Sequence, residues 1–306
     1  MSERSTARWR LPGVPLVIAL ICLLGVLVLL YPSAASWISD YEQATRIDDY
    51  TAKTHEVSPA DRAEQLRDAR LYNAQLFGTA SVEANERLPQ AVVSPVDTDY
   101  SALLATDSNG LMGRVKIPSI ELDLPIYHGT SDAVLSKGVG HLEGTALPVG
   151  GAGTHSVLTG HRGLATSELF TRLNEVTVGD TFTIEVLGEV LAYKVIDTQV
   201  VEPDKTQTLY PVEGRDLVTL VTCTPLGINS HRILVTAERV LPTPPEDIAA
   251  SGEHSAGPGF AWWALGIIGV VVLLVLYIRW AGVQPQSLQK PTPKNQGVKR
   301  GVKNLQ

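Results

Sequence analysis

Residues 218–223 read Val-Thr-Leu-Val-Thr-Cys and residues 231–237 read His-Arg-Ile-Leu-Val-Thr-Ala, with a loop containing proline and glycine between them. β-Branched and aliphatic residues favour strands, whereas proline and glycine favour the turn that joins two strands. The first run ends on Cys223, and Arg232 lies at the start of the second. Because successive strand residues point to opposite faces, only one of His231 and Arg232 can face Cys223.

The region between residues 113 and 240 alternates β-prone runs with turn residues, and one short helix is expected at residues 167–173. Seven or eight short strands in such a region predict a closed or nearly closed β-barrel, and therefore a mainly β fold. The seven runs that the sequence shows directly are residues 114–118, 122–127, 154–159, 181–186, 190–201, 218–223 and 233–237.

Two apolar segments lie at residues 11–31 and 260–280. Each is long enough to cross a hydrocarbon core of about 30 Å as a helix. A cleaved signal peptide is the alternative for the first segment, because small residues follow it at positions 34–36. The apolar run is longer than a typical signal-peptide core, which favours a retained transmembrane anchor.

Arginine and lysine are concentrated in the tails beyond these segments, at residues 1–10 and 281–306. The positive-inside rule therefore predicts two cytoplasmic tails and an extracellular region between the two spans. The formal net charge of −7 then leaves an acidic ectodomain without a concentrated basic patch, so nucleic acid is not an expected partner. The expected location is the cell membrane, as a two-pass protein.

Two segments flank the predicted barrel within the ectodomain. Residues 32–92 read as helical, with one helix near residues 34–54 and a second that begins at Ser58-Pro59. Serine is a favoured N-cap and proline suits the first helical position. These helices predict a stalk or cap between the membrane and the barrel. Residues 241–259 are rich in proline, glycine and serine, which predicts a flexible linker.

Cys223 is the first candidate for chemistry. The other cysteine, Cys22, lies in the first apolar segment, so Cys223 is the sole thiol of residues 32–259. Outside the cell a single unpaired thiol indicates a function, although a buried core cysteine is the alternative. A cysteine nucleophile needs a partner for proton transfer and a group that stabilises the oxyanion. Arg232 suits the second role because its guanidinium is permanently charged.

His161 is the favoured proton-transfer partner among the seven histidines, because it follows a predicted strand and precedes a turn at Gly163. A structural or surface histidine is the alternative. The sequence contains no metal-binding motif and no phosphate-binding glycine loop.

Three motifs in this order resemble the sortase signature: Leu-Thr-Gly-His-Arg-Gly at residues 158–163, Thr-Leu-Val-Thr-Cys at residues 219–223, and Arg232. The segments at residues 117–130 and 140–145 are similar to class C sortases, which polymerise pilins.

The resemblance implies an eight-stranded sortase-type β-barrel at residues 113–240, with N-terminal helices and two flanking transmembrane helices. It implies a cysteine transpeptidase with Cys223 as nucleophile, His161 as general acid/base and Arg232 as stabiliser of the oxyanion or substrate. The implied substrate is a pilin or surface protein with a Leu-Pro-x-Thr-Gly-type sorting signal, cleaved between Thr and Gly. The implied acceptor is a pilin lysine or a cell-wall peptide amine, and no cofactor or metal is expected.

Class C sortases carry a lid whose Asp-Pro-aromatic motif covers the cysteine, and residues 93–112 resemble such a lid only in part. Residues 94–100 read Ser-Pro-Val-Asp-Thr-Asp-Tyr, without an Asp-Pro pair. Two other functions stay open from the sequence: an extracellular cysteine hydrolase with water as acceptor, and a non-catalytic, membrane-tethered binding module.

Overall fold

The computed structural model describes residues 9–76, 81–82, 91–92, 99–106, 109–203, 205 and 207–283. Most of the two predicted cytoplasmic tails, and residues 93–98 and 107–108 of the lid-like segment, lie outside these residues. The described residues form two compact units, one within residues 30–263 and the other made of residues 9–29 with 264–283.

The α-helices lie before, within and after a β-rich region. They are α1 (Gly13–Glu56), α2 (Pro59–Gln75), α3 (Asp132–Leu135), α4 (Pro245–Ala249) and α5 (Trp262–Gly282). Both α1 and α5 contain a stretch long and apolar enough to cross a membrane. As predicted, α2 follows Ser58, whose side-chain oxygen accepts a hydrogen bond from the Asp61 amide.

Eight strands form a closed barrel, as the sortase resemblance implies. A separate two-residue pair precedes it, β1 (Ser81–Val82) with β2 (Ala91–Val92). Around the barrel the order is β10-β8-β7-β3-β4-β5-β6-β9. The strands are β3 (Leu111–Ile117), β4 (Leu122–His128), β5 (Val139–His141), β6 (Thr154–Thr159), β7 (Thr181–Val186), β8 (Glu189–Val201), β9 (Asp216–Thr224) and β10 (His231–Arg239).

Strand β5 was not predicted from the sequence, and the helix predicted at residues 167–173 does not form. Strand β5 has only three residues, and Gly140 at its centre lies so close to the Gly129 carbonyl that a side chain would collide with it. The predicted helix at residues 167–173 is instead a series of turns followed by a 3₁₀ turn, Leu173–Glu175. Leu169 has a left-handed backbone (φ 41°), which interrupts a right-handed helix.

Helices α1 and α2, which precede the barrel in the chain, pack against it. The Tyr50 hydroxyl of α1 donates to the Met112 carbonyl (2.9 Å) and accepts from the Leu187 amide (2.8 Å). The buried Asn73 amide of α2 exchanges two hydrogen bonds with the backbone of Leu147, at 3.0 and 2.7 Å. The helices therefore form a cap attached to the barrel wall.

The segment after the barrel is also held in place, unlike the flexible linker that its composition predicts. It contains α4 and contacts an ion pair between the buried Arg114 and the partly buried Asp123, whose atoms lie 2.6 Å apart. Arg114 also donates to the Glu253 carbonyl (2.7 Å), and the Ser255 hydroxyl donates to Asp123 (2.9 Å). These bonds satisfy a charge pair that burial would otherwise penalise.

Candidate active site

Cys223 and Arg232 lie directly opposite each other on β9 and β10. Directly opposed residues of an antiparallel pair project from the same face of the sheet. Each residue is only 5% exposed. His231 points the other way and is exposed, with its Nδ1 2.8 Å from the Ser230 hydroxyl. The structure thus brings Arg232, and not His231, to the face of Cys223.

His161 follows β6, which lies on the other side of β9 from β10. Strand β6 runs parallel to β9 with Thr159 opposite Val221. The Gly160 amide continues this ladder by donating to the Val221 carbonyl at 3.0 Å. His161 and Cys223 each come two residues after that matched pair, so the three predicted site residues lie at one end of three adjacent strands.

The loop that follows His161 is fixed by its own backbone and by α1. The Phe170 amide donates to the His161 carbonyl at 3.0 Å. The Phe170 ring packs against Gly160 so closely that a Cβ there would lie 2.7 Å from it. The buried Ser167 hydroxyl accepts a hydrogen bond from Gln43 of α1 at 3.1 Å. The backbone that carries His161 is therefore well supported.

Arg232 is also oriented by hydrogen bonds to the backbone. Its Nη1 donates to the carbonyls of Asn229 (2.9 Å) and His231 (3.0 Å). Burial raises the pKa of the Cys223 thiol, and the positive charge of Arg232 opposes that shift. Leu135 of α3 packs against Cys223. The thiol is therefore predominantly protonated here, and ionisation requires a partner that takes its proton.

Two other histidines have structural roles. Burial lowers the pKa of His141 to about 4, so its imidazole is neutral. Its Nε2 donates to the Ala146 carbonyl and its Nδ1 accepts from the Tyr100 hydroxyl, both at 2.8 Å. Burial also lowers the pKa of His155, whose ring nitrogens lie 2.7 Å from the Thr219 hydroxyl and 3.1 Å from the Tyr210 carbonyl.

The downstream part of the lid-like segment is anchored to the barrel. The Tyr100 hydroxyl that bonds His141 also accepts from the Gly129 amide at 3.1 Å. His128 lies with its Nε2 2.8 Å from the Leu103 carbonyl. Within the described part of the chain, no group of three or more His, Cys, Asp or Glu side chains could hold a metal ion.

The barrel is similar to known proteins. The family model described as "Sortase domain" matches residues 115–240. Streptococcus pneumoniae sortase C is 38% identical, with a TM-score of 0.58, over 66% of this chain and 99% of that one. The chain belongs to the sortase family. Sortases are cysteine transpeptidases, and the similar structures include class C members.

Two further relatives define the extent of the similarity. Sortase C-1 of Actinomyces oris is 47% identical, with a TM-score of 0.53, over 58% of this sortase and 98% of that chain. Sortase D of Bacillus subtilis is 30% identical over 131 residues, which are 42% of this chain and 63% of that protein. The match therefore spans less than two thirds of that curated relative.

The sequence motifs singled out Cys223 on β9, Arg232 on β10 and His161 after β6 as candidates. They did not single out the residues whose hydrogen bonds support the backbone around these three. Arg162 donates from Nη1 to the Thr224 hydroxyl at 2.8 Å. The Thr222 hydroxyl donates to the Gly160 carbonyl at 2.8 Å. Both contacts join positions 62 residues apart, and the only sequence signal was their adjacency to His161 and Cys223.

Proposed function

We propose that this chain is a membrane-anchored class C sortase that cleaves a Leu-Pro-x-Thr-Gly-type sorting signal between Thr and Gly. The cleaved signal is held as a thioester on Cys223 and transferred to an amine, either a pilin lysine or a cell-wall peptide. The observation that carries the proposal is that Cys223 lies opposite Arg232 on β10, while β6, which leads to His161, pairs with the other edge of β9.

In the first half of the reaction, the Cys223 sulfur attacks the carbonyl carbon of the substrate threonine, and His161 takes the thiol proton. The negative charge that develops on the carbonyl oxygen is stabilised by Arg232, because a fixed guanidinium needs no reorganisation as that charge forms. The tetrahedral intermediate breaks the Thr–Gly bond. The departing glycine amine takes a proton from the His161 imidazolium, and a thioester remains on Cys223.

In the second half, the acceptor amine attacks the thioester carbonyl and gives a proton to His161. The C–S bond breaks, an amide or isopeptide forms, and Cys223 regains a proton. Because burial disfavours the thiolate of Cys223, attack by the sulfur requires a base that takes the thiol proton, and His161 is proposed as that base. A general acid/base contributes about 10²–10⁴-fold to such a reaction.

The choice of acceptor is supported by the relatives. The solved sortase C of Streptococcus pneumoniae is described as informative on catalysis and on pilin substrate specificity. We therefore favour a pilin lysine as the acceptor. The basic residues outside the two apolar helices support a two-pass arrangement in the cell membrane, with both termini cytoplasmic and the barrel extracellular.

The proposal is tested with the full-length protein in detergent and a sorting-signal peptide, incubated with and without a lysine-containing acceptor peptide. Mass spectrometry should detect cleavage after threonine and, when the acceptor is present, a threonine–lysine isopeptide. Cleavage that yields only the free threonine acid at saturating acceptor would identify a hydrolase. Binding without cleavage would identify a non-catalytic module.

A further inference from the structure

Arg162 follows His161 directly and makes three hydrogen bonds through three different nitrogens. Nη1 donates to the Thr224 hydroxyl (2.8 Å), Nη2 to the Asn174 side-chain oxygen (2.8 Å) and Nε to the Thr171 carbonyl (3.1 Å). These three acceptors are neutral oxygens. In these contacts the guanidinium does not pair with a negative charge. It fixes the relative positions of its three acceptors, because its N–H donors point in fixed directions.

The three acceptors belong to two segments that carry the proposed chemistry. Thr171 and Asn174 lie in the connection that begins at His161, whereas Thr224 is the last residue of β9 and follows Cys223. One side chain thus ties the backbone next to His161 to the backbone next to Cys223. Parallel pairing of β6 with β9 ends at Thr159, so Arg162 makes its bond to β9 beyond the regular ladder.

We propose that Arg162 is a positioning residue, which holds His161 and Cys223 at their working separation by bonding the Thr224 hydroxyl. This proposal rests on the function proposed above. Arg162 acts through the two residues it joins and need not contact the substrate. A misplacement of about 1 Å between reacting groups can cost about 10²-fold in rate, so loss of the contact should lower kcat and leave KM nearly unchanged.

The chain offers a matched control. Arg172 lies in the same connection, pairs with Glu175 at 2.9 Å and donates to the Ile120 carbonyl at 3.2 Å. These acceptors lie outside β9. Arg172→Met therefore removes an arginine and its local bonds while the link between the loop and β9 remains. Thr224→Val removes one acceptor of Arg162 with little change in shape.

The test uses the full-length protein in detergent and measures peptide cleavage together with the pH dependence of Cys223 alkylation by iodoacetamide. Arg162→Met should lower kcat by about 10²-fold, change KM less than about threefold and raise the apparent pKa of alkylation, because the imidazole moves away from the thiol. Arg162→Lys can bond one acceptor and should recover part of kcat. Arg172→Met should match the wild type in kcat and in the alkylation profile.

Coupling between the two partners completes the test. Once Arg162 is Met, adding Thr224→Val should lower kcat no further. The proposal is overturned if Arg162→Met keeps near-normal kcat, if Arg172→Met loses as much, or if the alkylation profile of Arg162→Met equals that of the wild type. If the wild type cleaves no peptide, the proposed function fails first, and the alkylation profiles still report whether Arg162 positions the two groups.

Discussion

The substitution Tyr100→Phe removes a single oxygen from the anchor of the lid-like segment. That hydroxyl donates to Nδ1 of His141 at 2.8 Å and accepts from the Gly129 amide at 3.1 Å. Burial raises the pKa of Tyr100, so the hydroxyl keeps the proton that it donates. His141 is fully buried, and its Nε2 proton already goes to the Ala146 carbonyl. Nδ1 of His141 must therefore accept, and phenylalanine offers it no donor.

The expected cost follows from these two contacts. A buried polar group left without its partner costs about 1–3 kcal/mol. The His141 nitrogen bears that cost in full, and the Gly129 amide bears part of it, so the total should be about 2–4 kcal/mol. The aromatic contacts remain, because the ring that lies 4.9 Å from His128 is retained. For a domain of this size, the melting temperature Tm should fall by roughly 4–16 °C.

Thermal unfolding of the full-length protein measures this effect, and amide hydrogen exchange at Gly129 locates it. The matched control is Tyr72→Phe, because the Tyr72 ring lies 6.2 Å from that of Tyr100 and its hydroxyl makes no hydrogen bond to the residues that the structure describes. The control should change Tm little. If Tyr100→Phe lowers Tm no more than the control, or leaves Gly129 protected from exchange, the assigned network is wrong.

Three further predictions concern the site and its supports. His161→Ala and Arg232→Ala should each lower kcat/KM by about 10²-fold or more without unfolding the barrel; a rate near that of the wild type in either variant would contradict its role. As pH falls from 6.5 to 4, His141 becomes protonated in the unfolded chain but stays neutral in the folded protein, because burial lowers its pKa to about 4. The free energy of unfolding should therefore drop by about 3 kcal/mol over this range. In a His141→Gln variant that part of the pH dependence should disappear, and an unchanged pH profile would refute the assignment. Asn73→Ala should destabilise the protein by about 2–4 kcal/mol because it leaves the buried backbone of Leu147 without two partners, and chemical denaturation that shows less than 1 kcal/mol would show that α2 is held by other contacts.

The strands of the barrel were predictable because their residue types and turn signals are local. Strand β5 was not, since one β-branched residue followed by a glycine is too short a β signal, and its pairing depends on a close approach to Gly129. The predicted helix at residues 167–173 has suitable composition, but tertiary contacts select turns there. Ser167 is bonded to α1 and the Phe170 amide is bonded to His161.

The candidate site residues could be selected from the sequence, whereas the contacts that support them could not. Cys223 and Arg232 flank one short loop, so their proximity is close to a local property of the sequence. The position of His161 relative to β9 depends on the parallel pairing of β6 with β9, which joins segments far apart in the sequence. The bond between Arg162 and Thr224 spans 62 positions. The docking of residues 253–255 depends on the ion pair of Arg114 and Asp123, which composition alone could not indicate.

The most direct test of the proposed chemistry is the intact mass of the full-length protein after brief exposure to a sorting-signal peptide without acceptor. The wild type should gain the mass of the peptide up to its threonine, and hydroxylamine should release that adduct as a hydroxamate because it is a thioester. Cys223→Ala should remain folded and gain no mass. An adduct that persists in Cys223→Ala, or peptide turnover by that variant at the wild-type rate, would contradict the assignment of Cys223 as the nucleophile.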